Sequence, residues 1–571
     1  MKVGTEKSLI PAFYVAFFDD VMKHVPEFAS LHLDLAYILK RYESEGLSFV
    51  TLTLPKLGKA VETSLITLNK LVTPMGFELM KGERLPKLLN CLFKTLWDSE
   101  ANPLFDIRDL RLSKVRKLSY NVLVIRQVLL AFSKVEDCGC IESDDVAMSN
   151  FRNRVTAKPV ITASSILLNR ARELISGVVM EGDNLCKPLS HWVIEPYGRH
   201  GPGAVFGREC GREKWNFSYI PGIDDRLYSW SGQDRLDREE STTGWSRATV
   251  VPKDFKSRRI ICIEPKEFQF AQQGLWETLR YRMHTHPLTR DAISFDDQSM
   301  NFNLSRDYTY ATIDLKDASD RVSIDLCRVL FPKPFFRIAT RYRARKILIN
   351  DEDLVGYRSL ATMGSAVCFP LETLVFWFIT RATLELGGYS TTCRVFGDDI
   401  ICPKEAFDEV IESLCSCGFV VNESKSCNDS LIRESCGSYF WCGDDIRIVR
   451  FGYTASTSKG TWIPFADYSR SFLRSGFEAA SRAILNCIET VHPVPYGYLG
   501  FPDGPIEPKI RRYNKALQRL EVKVLQVCGP AVADALPGSQ GMYAWLVGND
   551  THPLPRVTVK NRIKGKWIAA E

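Results

Sequence analysis

A chain of 571 residues is too long for one simple hydrophobic core, and its length favours about three or four structural lobes. Hydrophobic residues at 45% and charged residues at 25% lie in the ordinary soluble range, which excludes a disordered chain and an integral membrane protein. The net charge of +6, from 74 Lys and Arg against 68 Asp and Glu, is too small to diagnose a nucleic-acid partner by itself.

The distribution of charge says more. Basic residues gather in 247–259, 337–346, 509–523 and 556–566. Each cluster alone reads as a solvated face, whereas four in one chain suit a groove that tracks phosphates. The longest apolar stretches, Leu9 to Phe18 and Leu371 to Ile379, fall short of the roughly 20 residues a spanning helix needs, so no membrane segment is expected. Lys2 and Lys7 precede the first stretch as in a signal peptide, but Pro11 interrupts it and Asp19-Asp20 follow without a small-residue cleavage site. None of the 17 cysteines forms a C-x-x-C pair, which argues against structural zinc and for reduced, buried thiols.

In chain order, residues 1 to about 190 read mainly as helix, with helical apolar spacing in Leu31 to Leu39, Leu88 to Leu96 and Leu118 to Phe132. Between about 195 and 245 the pattern changes to loops and short strands, with Gly198, Gly201, Pro202, Gly203 and Gly207. That glycine run lacks the Lys-Ser/Thr ending of a P-loop. From Thr249 to Tyr453 strand and helix signals alternate. Thr309 to Ile313 predicts a strand delivering Asp314, Ser323 to Leu330 a helix, and Leu371 to Leu386 a strongly apolar helix. Thr391 to Phe396 and Ile400 to Cys402 predict a hairpin with Gly397-Asp398 at its turn. The stretch from about 456 reads as helical and basic, broken at Pro493 to Pro508 and Pro553 to Pro555.

Asp314 at a strand end and Asp398 at a hairpin turn, 84 residues apart, supply carboxylates from two segments, as hard, oxygen-preferring Mg²⁺ requires. Asp399 points to the other face of its strand and reads as a secondary or outer-shell acid. Gly-Asp-Asp occurs twice, so the tripeptide decides nothing alone. The first copy is flanked by Val395, Phe396, Ile400 and Ile401, as a buried hairpin needs. The second, Gly443-Asp444-Asp445, is followed by Arg447 and Arg450, which can neutralise its acids, and reads as an ordinary turn.

The order of these segments resembles the replicase catalytic subunit of leviviruses, the small RNA bacteriophages, and more distantly the right-hand polymerases. The resemblance spans about 200 residues, Thr249 to Arg450. Val251-Pro-Lys253 through Arg258-Arg259 to Ile263-Glu264-Pro265 resembles the fingertip segment that contacts the incoming triphosphate. Asp314-Leu-Lys-Asp-Ala-Ser-Asp320 resembles the first metal motif and Phe396-Gly-Asp-Asp399 the second. Met363-Gly364 through Leu371-Glu372 resembles the segment that supports template and nucleotide, and Arg433-Glu-Ser-Cys-Gly437 the hairpin after the second metal motif.

The resemblance implies an α+β right-hand polymerase with an antiparallel palm sheet, fingers and a mostly helical thumb. Residues 1–245 would be an N-terminal helical region with fingers elements, 246–300 the fingertip and basic nucleotide channel, 301–455 the catalytic palm, and 456–571 the thumb and C-terminal basic region. The implied activity is RNA-dependent RNA polymerisation, with two Mg²⁺ ions, or Mn²⁺ in their place, on Asp314, Asp398 and Asp399. Lys253, Lys256, Arg258 and Arg259 provide cationic donors for phosphate oxygens. Gly364 and Ser365 belong to the nucleotide-supporting segment. Lys425 stands where a lysine would protonate pyrophosphate, although taken alone it reads as a surface lysine. Asp320 resembles the acid that senses the ribose 2′-hydroxyl, and equally suits the N-terminus of the following helix. The implied partners are RNA template and product, ribonucleoside triphosphates, host elongation factors Tu and Ts and, in some members, a ribosomal RNA-binding protein, in the cytoplasm of an infected bacterium.

Two departures stand out. Ser365, Ala366 and Cys368 occupy positions where leviviral replicases commonly carry Asn, Gly and Thr, which changes hydrogen bonding near the nucleotide sugar. Phe396 replaces the commoner Tyr, losing a hydroxyl and keeping the aromatic surface. Competing readings are a reverse transcriptase, whose bulky ribose gate is missing from Lys316 to Asp320; a two-metal nuclease, whose His or Glu beside the acids is not evident; and a non-enzymatic RNA-binding protein in which the acids are turn residues.

Overall fold

The protein is described from a computed structural model that covers residues 9–28, 30–105, 118–136, 140–180, 200–201, 203–206, 244–350, 353–454, 462–489, 511–528 and 562–569. The expected proline breaks at 493–508 and 553–555, and most of the glycine-rich 195–245 segment, lie outside these residues.

The N-terminal part is helical where described, as its apolar spacing predicts. Helices Leu9–His24, Leu31–Glu45, Leu54–Thr67 and Ser119–Leu130 bury their apolar faces in one core. Leu88 to Leu96 forms only the single turn Asn90–Phe93 instead of the expected helix. Leu89 takes a left-handed φ of 56°, and Leu88, Leu89, Leu92, Phe93 and Leu96 are all buried. Their recurrence reflects burial of a folded-back loop on every side, which mimics a helical stripe.

Helices Asp144–Thr156 and Ser165–Met180 leave this first core and join two others. The former packs on a four-stranded sheet of order β2-β1-β4-β5, built from β1 (Trp245–Pro252), β2 (Arg258–Ile263), β4 (Lys346–Ile349) and β5 (Asp353–Gly356). β1 runs antiparallel to β2 and parallel to β4. The latter packs on helix Cys368–Leu386, which is buried on nearly every side and is correspondingly rich in apolar residues.

The central sheet has the order β3-β7-β6 and is antiparallel throughout, with β3 (Tyr310–Ile313), β6 (Arg394–Phe396) and β7 (Asp399–Pro403). Register pairs Ile313 with Ile400 and Phe396 with Asp399. Beside it stand the hairpins of β8 (Ile432–Ser435), β9 (Ser438–Trp441) and β10 (Asp444–Asp445). The two-residue links Cys436-Gly437 and Cys442-Gly443 carry positive φ at both positions, the type I′ geometry whose twist matches the strands.

Beyond helices Trp462–Arg474 and Glu478–Glu489 the expectation of a helical C-terminal part is corrected. β11 (Arg511–Asn514), β12 (Arg519–Cys528) and β13 (Arg562–Ala569) form a three-stranded antiparallel sheet. The physical signal is the alternation of Leu520, Val522 and Val524 with Arg519, Glu521 and Lys523, a period of two that no helix accommodates. The described chain is thus α+β with mainly antiparallel sheets. No helix among the described residues is long and apolar enough to cross a membrane.

Candidate active site

Asp314 follows directly on β3, whose Ala311, Thr312 and Ile313 are buried. Its backbone is held by the segment after the central hairpin: its N–H donates to Ser426 Oγ at 3.2 Å, and its carbonyl accepts the Asn422 N–H at 2.9 Å. The carboxylate is held too. Asn422 Nδ2 donates to Oδ2 at 2.6 Å, and Lys425 Nζ lies 3.5 Å from Oδ1. An acid with one oxygen fixed by an amide and the other beside a cation is preorganised before any ligand arrives.

The second segment arrives on the β6–β7 hairpin. Gly397 supplies positive φ (63°) at the first turn position, as a type II′ turn demands, and its N–H donates to Thr373 Oγ1 at 3.0 Å. A side chain at Gly397 would meet the Phe369 ring at 2.7 Å. Phe396 meets the same Phe369 ring edge-on, centroids 4.9 Å apart, so the ring keeps its packing role without a hydroxyl.

Asp398 and Asp399 then diverge in a way the sequence misjudged. Asp399, the presumed outer-shell acid, groups with Asp314 and with Glu434, each offering one carboxylate oxygen and all lying within 4.8 Å of one another. Asp398 lies outside that group at the exposed turn tip, in electrostatic contact with Asp314, Lys425 and Arg259. The inversion follows from the turn: Asp399 is the first residue of β7, paired across from Phe396, and so faces the sheet surface bearing Asp314 and the next hairpin.

The electrostatics are those of buried acids crowded around one lysine. Burial raises the Asp399 carboxyl to about 7, with the charges of Glu434 and Asp398 adding to the effect. Desolvation also raises Asp398, reinforced by Asp314 and opposed by Lys425 and Arg259. Glu434 is raised by burial and drawn back by Lys425. Burial alone would lower the Lys425 ammonium, but Glu434 and Asp314 outweigh it and hold it above the ordinary lysine range. Such a lysine stays charged at neutral pH.

The residues expected at a fingertip sit on the β1–β2 hairpin. Its turn is built on Asp254, whose Oδ1 accepts the N–H groups of Lys256 and Ser257 at 3.0 and 2.8 Å. Lys253, Lys256 and Arg259 are exposed, and of the four predicted cations Arg259 is the one whose charge bears on Asp398. Arg258 is turned aside, its Nε 3.1 Å from Asp144 Oδ1.

Gly364 and Ser365 form a tight turn against β2. Gly364 has φ 108°, and a Cβ there would lie 2.1 Å from the Cys262 carbonyl oxygen. The Cys262 N–H donates to the Met363 carbonyl at 2.7 Å. Ser365 is buried, and its hydroxyl donates to Gln272 Oε1 at 3.1 Å. Asp320 lies inside the short helix Ala318–Arg321, so it does not cap the following helix; Ser323 does, accepting the Leu326 N–H at 3.1 Å. Asp320 instead receives Arg154 Nε at 3.1 Å.

The second Gly-Asp-Asp is the ordinary turn that its neighbours suggested. Asp445 pairs with Arg447, whereas Arg450 reaches toward Glu62 at 4.0 Å.

Residues 232–451 match the family model described as RNA replicase, beta-chain. An RNA-directed RNA polymerase subunit beta of Qbeta virus (strain MX1) is 34% identical over 207 residues, 35% of this chain and 34% of that protein. An RNA-directed RNA polymerase beta chain of Escherichia phage MS2 is 35% identical over 202 residues, 35% of this chain and 36% of that protein. The chain thus matches about a third of the length of these curated relatives. Among solved structures, the BmCPV RNA-dependent RNA polymerase at elongation state aligns with 80% of this chain and 47% of its own at 11% identity and TM-score 0.45.

The replicase-family segment holds all the predicted site residues. It also holds three that residue-by-residue reading gave no role. Glu434 lay in the hairpin motif, and only the fold brings it beside Asp399. Gln272 is buried in helix Lys266–Thr285 and accepts both Ser365 Oγ and the Ala366 N–H, with no pattern to mark it. Glu372, buried in helix Cys368–Leu386, is raised well above the carboxylate range by burial and by Asp398 and Asp320. Its signals were its place at the end of the nucleotide-supporting segment and an acid at a helical core position.

Proposed function

We propose that this chain is an RNA-directed RNA polymerase that copies an RNA genome from ribonucleoside triphosphates, with β3, β6 and β7 as the palm of a right hand and the β1–β2 hairpin as fingertip. The observation that carries the reading is the meeting of Asp314, Asp399 and Glu434 at one edge of the central sheet, with Asp398 at the turn beside them and the exposed cation of Arg259 bearing on it.

The donor set suits magnesium: three carboxylates within 4.8 Å offer hard oxygen ligands from three separate segments. Asp314, Asp399 and Asp398 would hold two such ions, with Glu434 as a further ligand, and Mn²⁺ would fit the same oxygens. When bound there, the ions lower the pKa of the attacking 3′-hydroxyl and offset charge on the leaving pyrophosphate. The chain's own residues do the rest. Asn422 keeps the Asp314 carboxylate oriented, and Arg259, Lys256 and Lys253 bind triphosphate oxygens. A bond forms between the 3′-oxygen and the α-phosphorus as the bond to the β-phosphate oxygen breaks. Lys425, held charged by its acids, stabilises and can protonate that leaving oxygen. Asp320 reads the ribose 2′-hydroxyl. Elongation factors Tu and Ts, and a ribosomal RNA-binding protein, are the partners this reading brings, in the cytoplasm of an infected bacterium.

The two Gly-Asp-Asp copies test the reading as each other's control. Asp398→Asn keeps size and removes charge, so template-directed incorporation of labelled ribonucleotides should fall by several orders of magnitude with folding retained. Asp444→Asn should keep most activity. An inactive Asp444 variant beside an active Asp398 variant, both folded, would sink the assignment. Folded wild-type protein that adds no ribonucleotide to template-complementary RNA leaves the non-enzymatic RNA-binding reading.

A further inference from the structure

Arg154 stands in the last turn of helix Asp144–Thr156, upstream of the replicase-family segment, yet its side chain enters the site. Its Nε lies 3.1 Å from Asp320 Oδ2 and 3.6 Å from Asp317 Oδ1. The Asp320 side chain is 10% exposed and that of Arg154 30% exposed, so the pair is shielded from water on the acid's side and open on the arginine's. Burial pushes the Asp320 carboxyl up, and Arg154 is the strongest influence drawing it back.

Both backbones are fixed by one strap. The Arg358 N–H donates to the Val155 carbonyl at 2.7 Å, which anchors the arginine's helix. One residue later, Ser359 Oγ donates to the Asp320 carbonyl at 2.6 Å. The Leu360 N–H donates to the Val322 carbonyl at 2.6 Å, closing the strap over the short helix. Among the described residues Asp320 Oδ1 and the two terminal nitrogens of Arg154 have no hydrogen-bond partner. A carboxylate with one oxygen tied and one free is a single, oriented acceptor.

We propose that Arg154 is a positioning residue of the nucleotide site: it holds Oδ2 of Asp320, so that Oδ1 is presented to the 2′-hydroxyl of the incoming ribonucleotide. This rests on the polymerase reading and on the role of Asp320 within it. A pair that only stabilised the fold would tie the helix to the sheet without affecting sugar choice.

The test measures single-nucleotide addition by the full chain on an RNA template, comparing kcat/KM for a ribonucleotide and its 2′-deoxy analogue. Arg154→Met keeps most of the length and removes the charge; Arg154→Lys keeps the charge. Arg154→Met should lower the ribose preference by about tenfold or more, the worth of a charge-assisted hydrogen bond. Arg154→Lys should recover part of it, and adding Arg154→Met to Asp320→Ala should change the ratio no further, because the two act as a unit. Thermal unfolding of each variant separates folding from selection, and Arg154→Lys carries the comparison if the methionine variant does not fold. A wild-type ratio in Arg154→Met, beside a lowered ratio in Asp320→Ala, overturns the role of Arg154 alone. An unchanged ratio in Asp320→Ala overturns the sugar reading of Asp320 and this proposal with it. Wild-type protein that adds neither nucleotide overturns the polymerase reading underneath both.

Discussion

Glu264 shows what burial does to one residue of this site's surroundings. It stands at the Ile263-Glu264-Pro265 end of the segment that resembles a fingertip, is 1% exposed, and is pushed to about 8 by desolvation, with Arg343 and the Gln272 side chain pulling the other way. The folded pKa lies above that of the unfolded chain, so between about 4.5 and 8 the folded state binds more protons, and stability falls as pH rises through that window. Glu264→Gln keeps the shape and removes the titration. The thermal midpoint of the wild type should therefore fall between pH 5 and 8 more steeply than that of the variant, by about a few degrees. Parallel midpoint curves for the two proteins would show that Glu264 titrates in the fold as it does in the unfolded chain, with no raised pKa. The sequence exposed this glutamate as part of a motif, but nothing in its neighbours foretold complete burial.

At the scale of elements, turn chemistry was the most legible feature. Gly397, Gly437 and Gly443 each occupy a two-residue hairpin link with positive φ, and each stands beside an alternating or β-rich run that predicts a strand. Ser323 before Ile324–Leu330 is an N-cap readable from residue type alone. Gly364 needs tertiary information, because its constraint comes from β2: a side chain would strike the Cys262 carbonyl at 2.1 Å as well as strain φ at 108°. Gly364→Ala should therefore separate the 362–366 turn from β2 at a cost of about 2 kcal/mol or more. Amide hydrogen exchange should rise locally in Arg258–Ile263 and around Ser365, with nucleotide addition weakened, while the Leu9–His24 helix keeps its protection. Unchanged exchange in β2 would mean that the turn and the strand are held independently.

Across the whole molecule, the apolar clusters ignore sequence order. The first joins helices from residues 9 to 135 with the region from 427 to 487. Asp20, in the first described helix, accepts the Ala479 and Ala480 N–H groups at 3.1 and 2.9 Å and so caps a helix more than 450 residues away. Arg126 is a second tie. It is fully buried, donates to Glu62 Oε1 at 3.0 and 2.9 Å and to the Ile446 carbonyl, and lies 4.0 Å over the Tyr439 ring. Arg126→Met should cost about 3 to 5 kcal/mol, because Glu62 is left largely buried with only the distant Arg450 and Ile446 loses its donor. Denaturant unfolding checks this. A loss below about 1 kcal/mol would mean that water or Arg450 replaces the guanidinium.

What the sequence determined by itself was local and chemical. The strand that delivers Asp314, the hairpin that carries Asp398 and Asp399, and the ordinary hairpin that leads into Asp444-Asp445 follow from period, turn residues and flanking hydrophobicity, which act over a few residues. The C-terminal strands carry a signal of the same kind, in the alternation of β12, where a helical stretch was expected. What only the tertiary structure decided was which side chains meet. Asp399 rather than Asp398 joins Asp314 and Glu434, because the pairing of Phe396 with Asp399 fixes which face each acid takes. Arg154 reaches Asp320 across 166 positions because its helix packs on the sheet of β1, β2, β4 and β5. Distances between carboxylates and cations depend on sheet register and helix docking, and those are set by apolar burial summed over the chain, which no short stretch encodes.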